Sequence, residues 1–192
     1  MNSFYSIDEL NNIGFKKIGI NVLLSRKTSI YGASQISIGN NVRIDDYCIL
    51  SGKITLSSNI HIAAYCALYG GEAGICFEDY SGISSRGCVY AVSDDYSGLF
   101  LTNPMVPDEF KNVISKPVNI GRHVIIGSGV TILPGVNLAD GSAIGAMSLC
   151  NKSTRPWGIY FGIPARRINE RSKKVLELEK KYKASYQHFD VL

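Results

Sequence analysis

The chain has 192 residues, 45% of them apolar and 19% charged, with a net charge of +4. That is the size of one domain with enough apolar mass for a core and too little charge for a disordered chain. No apolar run reaches the ~18 residues of a membrane helix, and the five cysteines are odd in number, scattered and without a CxxC pair, which argues against a zinc ribbon and against a disulfide framework. The polar first ten residues, with Asp8 and Glu9, do not read as a secretory signal, so a cytoplasmic, reduced protein is expected.

The chain opens with Ser6-Ile7-Asp8-Glu9, an S-x-x-E capping box, which predicts a short helix from Ser6 to about Asn12 as part of an N-terminal cap over 1–17. A six-residue beat follows. Aliphatic or aromatic residues open hexads at 18/24/30, 38/44/50, 56/62/68, 77/83/89, 120/126/132 and 138/144/150. The residue four places on is small or β-branched, as at Val42, Cys48, Ile60, Cys66, Val124 and Ser142, and glycine or asparagine recurs between. A period of six fits neither a helix nor a plain alternating strand. It fits short strands joined by tight bends, three to a coil, stacked in parallel into a triangular prism. Eighteen hexads give about six coils over 18–165.

The interruptions all fall after the third hexad of a coil: two residues after the hexad at Ile30, three after that at Leu68, and a long excursion over 94–119 after that at Val89. Insertions that share one edge of a solenoid build its binding face. The excursion is long enough to serve as a binding loop or lid. Its Asp, Tyr and Asn residues suit sugar hydroxyls, while Leu99, Phe100, Leu101, Met105 and Val106 would pack it onto a neighbouring copy. Residues 166–192 form the last segment. Within it Asn169 to Gln187 lacks Gly and Pro and carries an apolar stripe of Val175, Leu176, Leu178, Tyr182 and Tyr186, which predicts a C-terminal helix. Arg166 to Lys183 holds eight Lys/Arg against three Glu, a local +5 that suits a polyanionic ligand. The basic residues lack interleaved aromatic platforms, so nucleic acid is not expected as a partner.

Val118–Ala165, VNIGRHVIIGSGVTILPGVNLADGSAIGAMSLCNKS…GIPAR, resembles the C-terminal signature of the hexapeptide-repeat acyltransferases, in particular their galactoside/maltose O-acetyltransferase branch. The resemblance implies an all-β fold, a left-handed parallel β-helix with a protruding loop and C-terminal helix. It also implies a homotrimer with active sites between subunits and acetyl-CoA as donor without a metal. The pantetheine arm would lie along stacked bends at Ser128 and Ala146. Lys152 matches the family's lysine after the last coil, Asn151 stands where a threonine is common, and Arg166 matches the basic residue near the nucleotide phosphates.

The family's catalytic histidine is replaced by Asp94, followed by Asp95. Three histidines remain. His123 sits at a bend and His188 in the tail, while His61 precedes Ile62 and should point outward on the second face between Arg43 and Gly82. An imidazole suits proton transfer at neutral pH better than a free carboxylate. His61 is therefore the candidate base, sharing proton handling with Asp94 or Asp95 of a neighbouring subunit; packing at the interface is its alternative role. Glu72, in the short bulge of the third edge, falls where the family binds acceptor, and Tyr96 and Asn103 of the excursion are further acceptor candidates.

The leading expectation is O-acetylation of a sugar or glycan hydroxyl in surface-polysaccharide or O-antigen assembly. N-acetylation of a nucleotide-linked amino sugar stands beside it, because an amine needs less help from a base. A non-catalytic scaffold is the reading of another class. A metal-dependent hydratase would need three converging histidines, which the beat keeps apart.

Overall fold

The computed structural model describes residues 3–186. Ser6 caps helix α1 (Ile7–Asn12): its Oγ accepts from the Glu9 amide at 3.3 Å and its own amide donates to the Glu9 carboxylate at 2.7 Å. Leu10 of α1 is buried over the first coil.

Parallel strands then stack as the beat requires. Ile18, Ile38, Leu56, Phe77, Ile120 and Leu138 lie in register on the first face. Leu24, Ile44, Ile62, Ile83, Ile126 and Ile144 form the second. Ile30, Leu50, Leu68, Val89, Ile132 and Cys150 form the third. The core is the axis of the prism, filled by these residues and by the companions four places on. Burying each such aliphatic side chain favours folding by about 1.5–3 kcal/mol. Four buried companions are polar and satisfied: Thr28 Oγ1 donates to the Asp45 carbonyl at 3.1 Å, Ser81 Oγ donates to the Glu78 carbonyl at 2.5 Å, Ser142 Oγ meets Thr154 Oγ1 at 2.8 Å, and Ser148 Oγ accepts from the Gly162 amide at 3.0 Å.

Asparagines serve the first bends. Asn21, Asn41 and Asn59 all have left-handed φ, and their side chains form a ladder with steps of 2.8 and 3.4 Å. Asparagine tolerates this conformation and can bond laterally, which is why it recurs there.

The excursions leave from the third edge. Gly52 (φ +77°) abuts the Gly71 backbone so closely that a Cβ would collide with it. Both strands there, Ile49–Leu56 and Ala67–Phe77, turn the edge without a break. The long excursion has a neck, Val92–Ser93 paired antiparallel with Ile114–Ser115.

The C-terminal segment departs from expectation. Gly158–Phe161 adds a seventh rung to the second face, and Arg166–Glu170 is a strand antiparallel to it. Helix α2 therefore runs over Val175–Tyr186 and does not start at Asn169. The open edge of the last rung explains the difference, because pairing with it satisfies backbone groups that a helix would leave exposed. Gln187, His188 and the rest of the tail lie outside the described residues. The apolar stripe of α2 is only partly used, with Leu178 54% and Tyr182 42% exposed. Polar contacts hold the helix instead.

Candidate active site

On the second face, Arg43, His61 and Gly82 stack one above the other in adjacent rungs, as their spacing implies. The His61 ring is half exposed, and its Nε2 lies 2.8 Å from Asp45 Oδ2. Arg43 Nε donates to the other oxygen of Asp45 at 2.7 Å. Partial burial would raise the Asp45 pKa, but the bonds from His61 and Arg43 hold it below its ordinary value. An ionised Asp45 makes Nε2 the donor of that bond, and Nδ1 is the ring nitrogen the bond does not use. Asp45 escapes sequence reasoning that tracks histidines alone; its signal is position, two residues beyond the arginine stacked under His61. His61 opens onto a cavity of 510 Å³ that Ser84, Ser85, His123, Ile125 and Arg171 also line.

The third edge holds a second cavity of 890 Å³, beneath the neck of the excursion. Asp94, Tyr96, Tyr69, Tyr90, Ser51 and Thr131 are among its lining residues. Tyr69 and Tyr90 were not anticipated; they are outward residues one rung apart with stacked rings, 5.1 Å between centroids. Asp95 is occupied differently. Its carboxylate accepts from the Ser97 amide at 2.5 Å and from Asn112 Nδ2 at 2.8 Å, contacts that depress its pKa and fold the excursion. Asn103 likewise turns the loop, accepting from the Met105 amide at 3.0 Å. Glu72 is exposed in its bulge and lines neither cavity. Leu99 and Met105 are 81% and 90% exposed in the single chain.

Ser128 and Ala146 are exposed on adjacent bends, tied by the Met147 amide donating to the Ser128 carbonyl at 2.8 Å. Gly127 lies so close to the Ala146 backbone that no side chain fits between them. Asn151, Lys152 and Arg166 are exposed beyond this row.

His123 is buried at a bend, stacked on Tyr80 at 5.2 Å, with Nε2 2.7 Å from Glu179 of α2. Arg122 and Lys183 reach the other Glu179 oxygen at 2.5 and 2.7 Å. Burial pushes the Glu179 pKa up, but the bonds from Lys183 and His123 and the Arg122 charge outweigh it and hold it at about 2. Arg171 adds a bond to the His123 carbonyl at 2.6 Å. These contacts make His123 a docking residue for the C-terminal segment. Among the described residues, no group of three His, Cys, Asp or Glu is placed to hold a metal ion.

No family model matches the chain. A dTDP-4-amino-4,6-dideoxy-D-glucose acyltransferase of Escherichia coli is 47% identical over 180 residues, covering 92% of this chain and 93% of that protein. The chain belongs to the hexapeptide-repeat acyltransferases. The crystal structure of AntD, an N-acyltransferase of Bacillus cereus in complex with dTDP and 3-hydroxybutyryl-CoA, is 53% identical to this acyltransferase with a TM-score of 0.96, covering 97% of this chain and all of that one. Other AntD structures hold CoA with dTDP or dTDP-4-amino-4,6-dideoxyglucose and replace one aspartate or one serine. The Escherichia coli galactoside O-acetyltransferase is 45% identical over 62 residues only, 31% of this chain and 30% of that protein. No helix among the described residues is long and apolar enough to cross a membrane.

Proposed function

We propose that this acyltransferase moves an acyl group from acyl-CoA to the amino group of a nucleotide-linked amino sugar, a dTDP-4-amino-4,6-dideoxyhexose. The observation that carries this reading is similarity along nearly the whole chain to a dTDP-amino-sugar acyltransferase, excursion included. The O-acetyltransferase match is confined to about a third of the chain. O-acetylation, the leading expectation from sequence, therefore yields to N-acylation.

In this reaction the amine nitrogen attacks the thioester carbon, a C–N bond forms and the C–S bond breaks. The nitrogen loses a proton and the CoA thiolate gains one. His61 Nδ1, free because Asp45 takes the other ring nitrogen, accepts that proton and returns it to sulfur. Ser128, Ala146, Asn151, Lys152 and Arg166 line the donor's path, and acetyl-CoA is the simplest donor. Asp94 and Tyr96 meet the acceptor; Glu72 lies at its margin, while Asp95 and Asn103 shape the loop. The replaced residues in the AntD structures, an aspartate and a serine, are of the types that this chain offers at its two cavities, Asp94 and Ser84. His61 and Asp94 line different cavities of one chain, so the reading requires a homotrimer in which the third edge of one copy faces the second face of the next. The reading takes the reaction to be a cytoplasmic one, on a nucleotide sugar destined for surface polysaccharide.

Thiol release is to be followed with acetyl-CoA and 3-hydroxybutyryl-CoA against dTDP-4-amino-4,6-dideoxyglucose and against a galactoside. Turnover of the galactoside alone would restore the O-acetyl reading, and failure to bind CoA would leave a scaffold. Inactive His61→Ala and Asp94→Asn chains, refolded together in equal amounts, should regain about a quarter of wild-type activity, because in a ring of three each shared site needs one intact residue from each of two neighbours. No regain would refute the shared site.

A further inference from the structure

Three ladders of stacked rings run along the outside of the prism, and they differ in what covers them. Tyr80 and His123, with Trp157 beyond, lie beneath α2, whose Tyr182 meets Tyr80 edge-on at 6.3 Å. Tyr47 and Tyr65 are stacked at 5.0 Å, and the Lys27 ammonium lies over Tyr47, 5.2 Å from its centroid. The third ladder opens into the 890 Å³ cavity. Its register is Tyr31, Ser51, Tyr69, Tyr90, each one rung above the last.

Ser51 interrupts a column of tyrosines. Rungs lie about 4.8 Å apart, so Tyr31 and Tyr69 are separated by two rungs, or about 9.6 Å, with only a hydroxymethyl group between. Two aromatic stacking steps of about 5 Å occupy the same span. Tyr31 is 61% exposed, and Ser51 and Tyr69 line the cavity wall. The lining residues include no lysine or arginine, so the wall is unsuited to a diphosphate and suited to a flat, uncharged ring. The Ser51 hydroxyl stands at the back of the slot, where it can bond a ring edge.

The geometry points to the gap at Ser51 as the slot for the acceptor's nucleobase, clasped between Tyr31 and Tyr69. This rests on the reading of the acceptor as a nucleotide-linked sugar and adds the feature that distinguishes it from a free amino sugar. The pyrimidine ring is held by stacking; the diphosphate that links it to the sugar leaves this uncharged wall for the open side of the cavity, and the sugar returns towards Asp94.

The probe is dTDP itself, with binding read by calorimetry. Base–aromatic stacking supports a loss of about 5- to 150-fold in dTDP affinity for Tyr69→Leu. Tyr69→Phe should keep it. Ser51→Tyr completes the column with a residue its neighbours already stack, and should abolish dTDP binding while CoA affinity stays at the wild-type value. The same variant should raise KM for the nucleotide-linked sugar. Wild-type dTDP affinity in both Ser51→Tyr and Tyr69→Leu refutes the slot and leaves the acceptor reading standing. Wild-type protein that binds CoA but not dTDP overturns that reading and the slot with it. Loss of nucleotide-sugar binding with dTDP binding intact would assign the gap to the sugar ring and overturn the base.

Discussion

Replacing Glu179 by glutamine should release the C-terminal helix while leaving the prism intact. The Glu179 carboxylate is 9% exposed and takes bonds from Arg122, His123 and Lys183, whereas the apolar stripe of α2 contributes little. A folded pKa of about 2 against an ordinary 4.5 sets a ceiling of about 3.4 kcal/mol on what the ionised group adds at neutral pH. Arg122 and Lys183 are 40% and 51% exposed, so solvent screening reduces this to about 2 kcal/mol. That is a factor of roughly 30 in the opening equilibrium of the helix. Because the folded pKa is depressed, the contribution is complete above pH 4.5 and is lost as pH falls towards 2. Hydrogen exchange of the α2 amides reads the opening directly. At pH 7, protection across 175–186 should fall by that factor in Glu179→Gln, with protection at 125–126 and 143–144 unchanged. Equal protection in both proteins at pH 7 would show that the helix is held by something other than this clamp.

Other substitutions test the prism. Phe77→Ala empties a fully buried site on the first face and should cost about 3–5 kcal/mol in urea unfolding. Gly39→Ala should be severe for a different reason, since its Cβ would collide with the Ser57 backbone carbonyl on the next rung; expression as aggregate, or a loss of several kcal/mol, is expected. At Asn41 (φ +55°), Asn41→Gly keeps the conformation and loses both ladder bonds, for about 1–2 kcal/mol, while Asn41→Val loses them too and adds about 1–2 kcal/mol of strain. A valine variant as stable as the glycine one would remove strain from the account.

The fold was legible because the beat repeats. Each hexad places one aliphatic inward, and an error of one residue would turn that side chain outward, so eighteen coincidences leave little freedom in the register. The excursions on one edge and the Ser6 cap were legible for the same local reasons. The last rung was not. Gly158–Phe161 follows an irregular stretch without a hexad opening, and the pairing of Arg166–Glu170 depends on a free edge that no local pattern announces. Of the candidate site, the place of His61 between Arg43 and Gly82 was legible in the beat. Asp45 was missed because its bond to His61 appears only when one coil is laid on another, and the Tyr69–Tyr90 pair because the beat is defined by inward residues and says nothing of which outward ones stack.

In a stacked fold, residues one coil apart are neighbours, so chemistry is written down the columns and is barely visible along the chain. Arg43, His61 and Gly82 form one such column, in which the glycine adds no side chain above the imidazole and Arg43 shares the carboxylate that orients it. Tyr31, Ser51, Tyr69 and Tyr90 form another, in which one small residue interrupts a column of rings. The inward positions cannot vary this way, since each must fill the same axial volume on every rung. An outward position carries no such constraint, and a single exchange there alters one step of one column without disturbing the core. That separation is what the proposed function draws on, with a donor row proposed on one edge and an acceptor cavity proposed on another. It also means that the excursion, which closes the cavity over Asp94, need only fit the rungs at its neck, Val92–Ser93 against Ile114–Ser115.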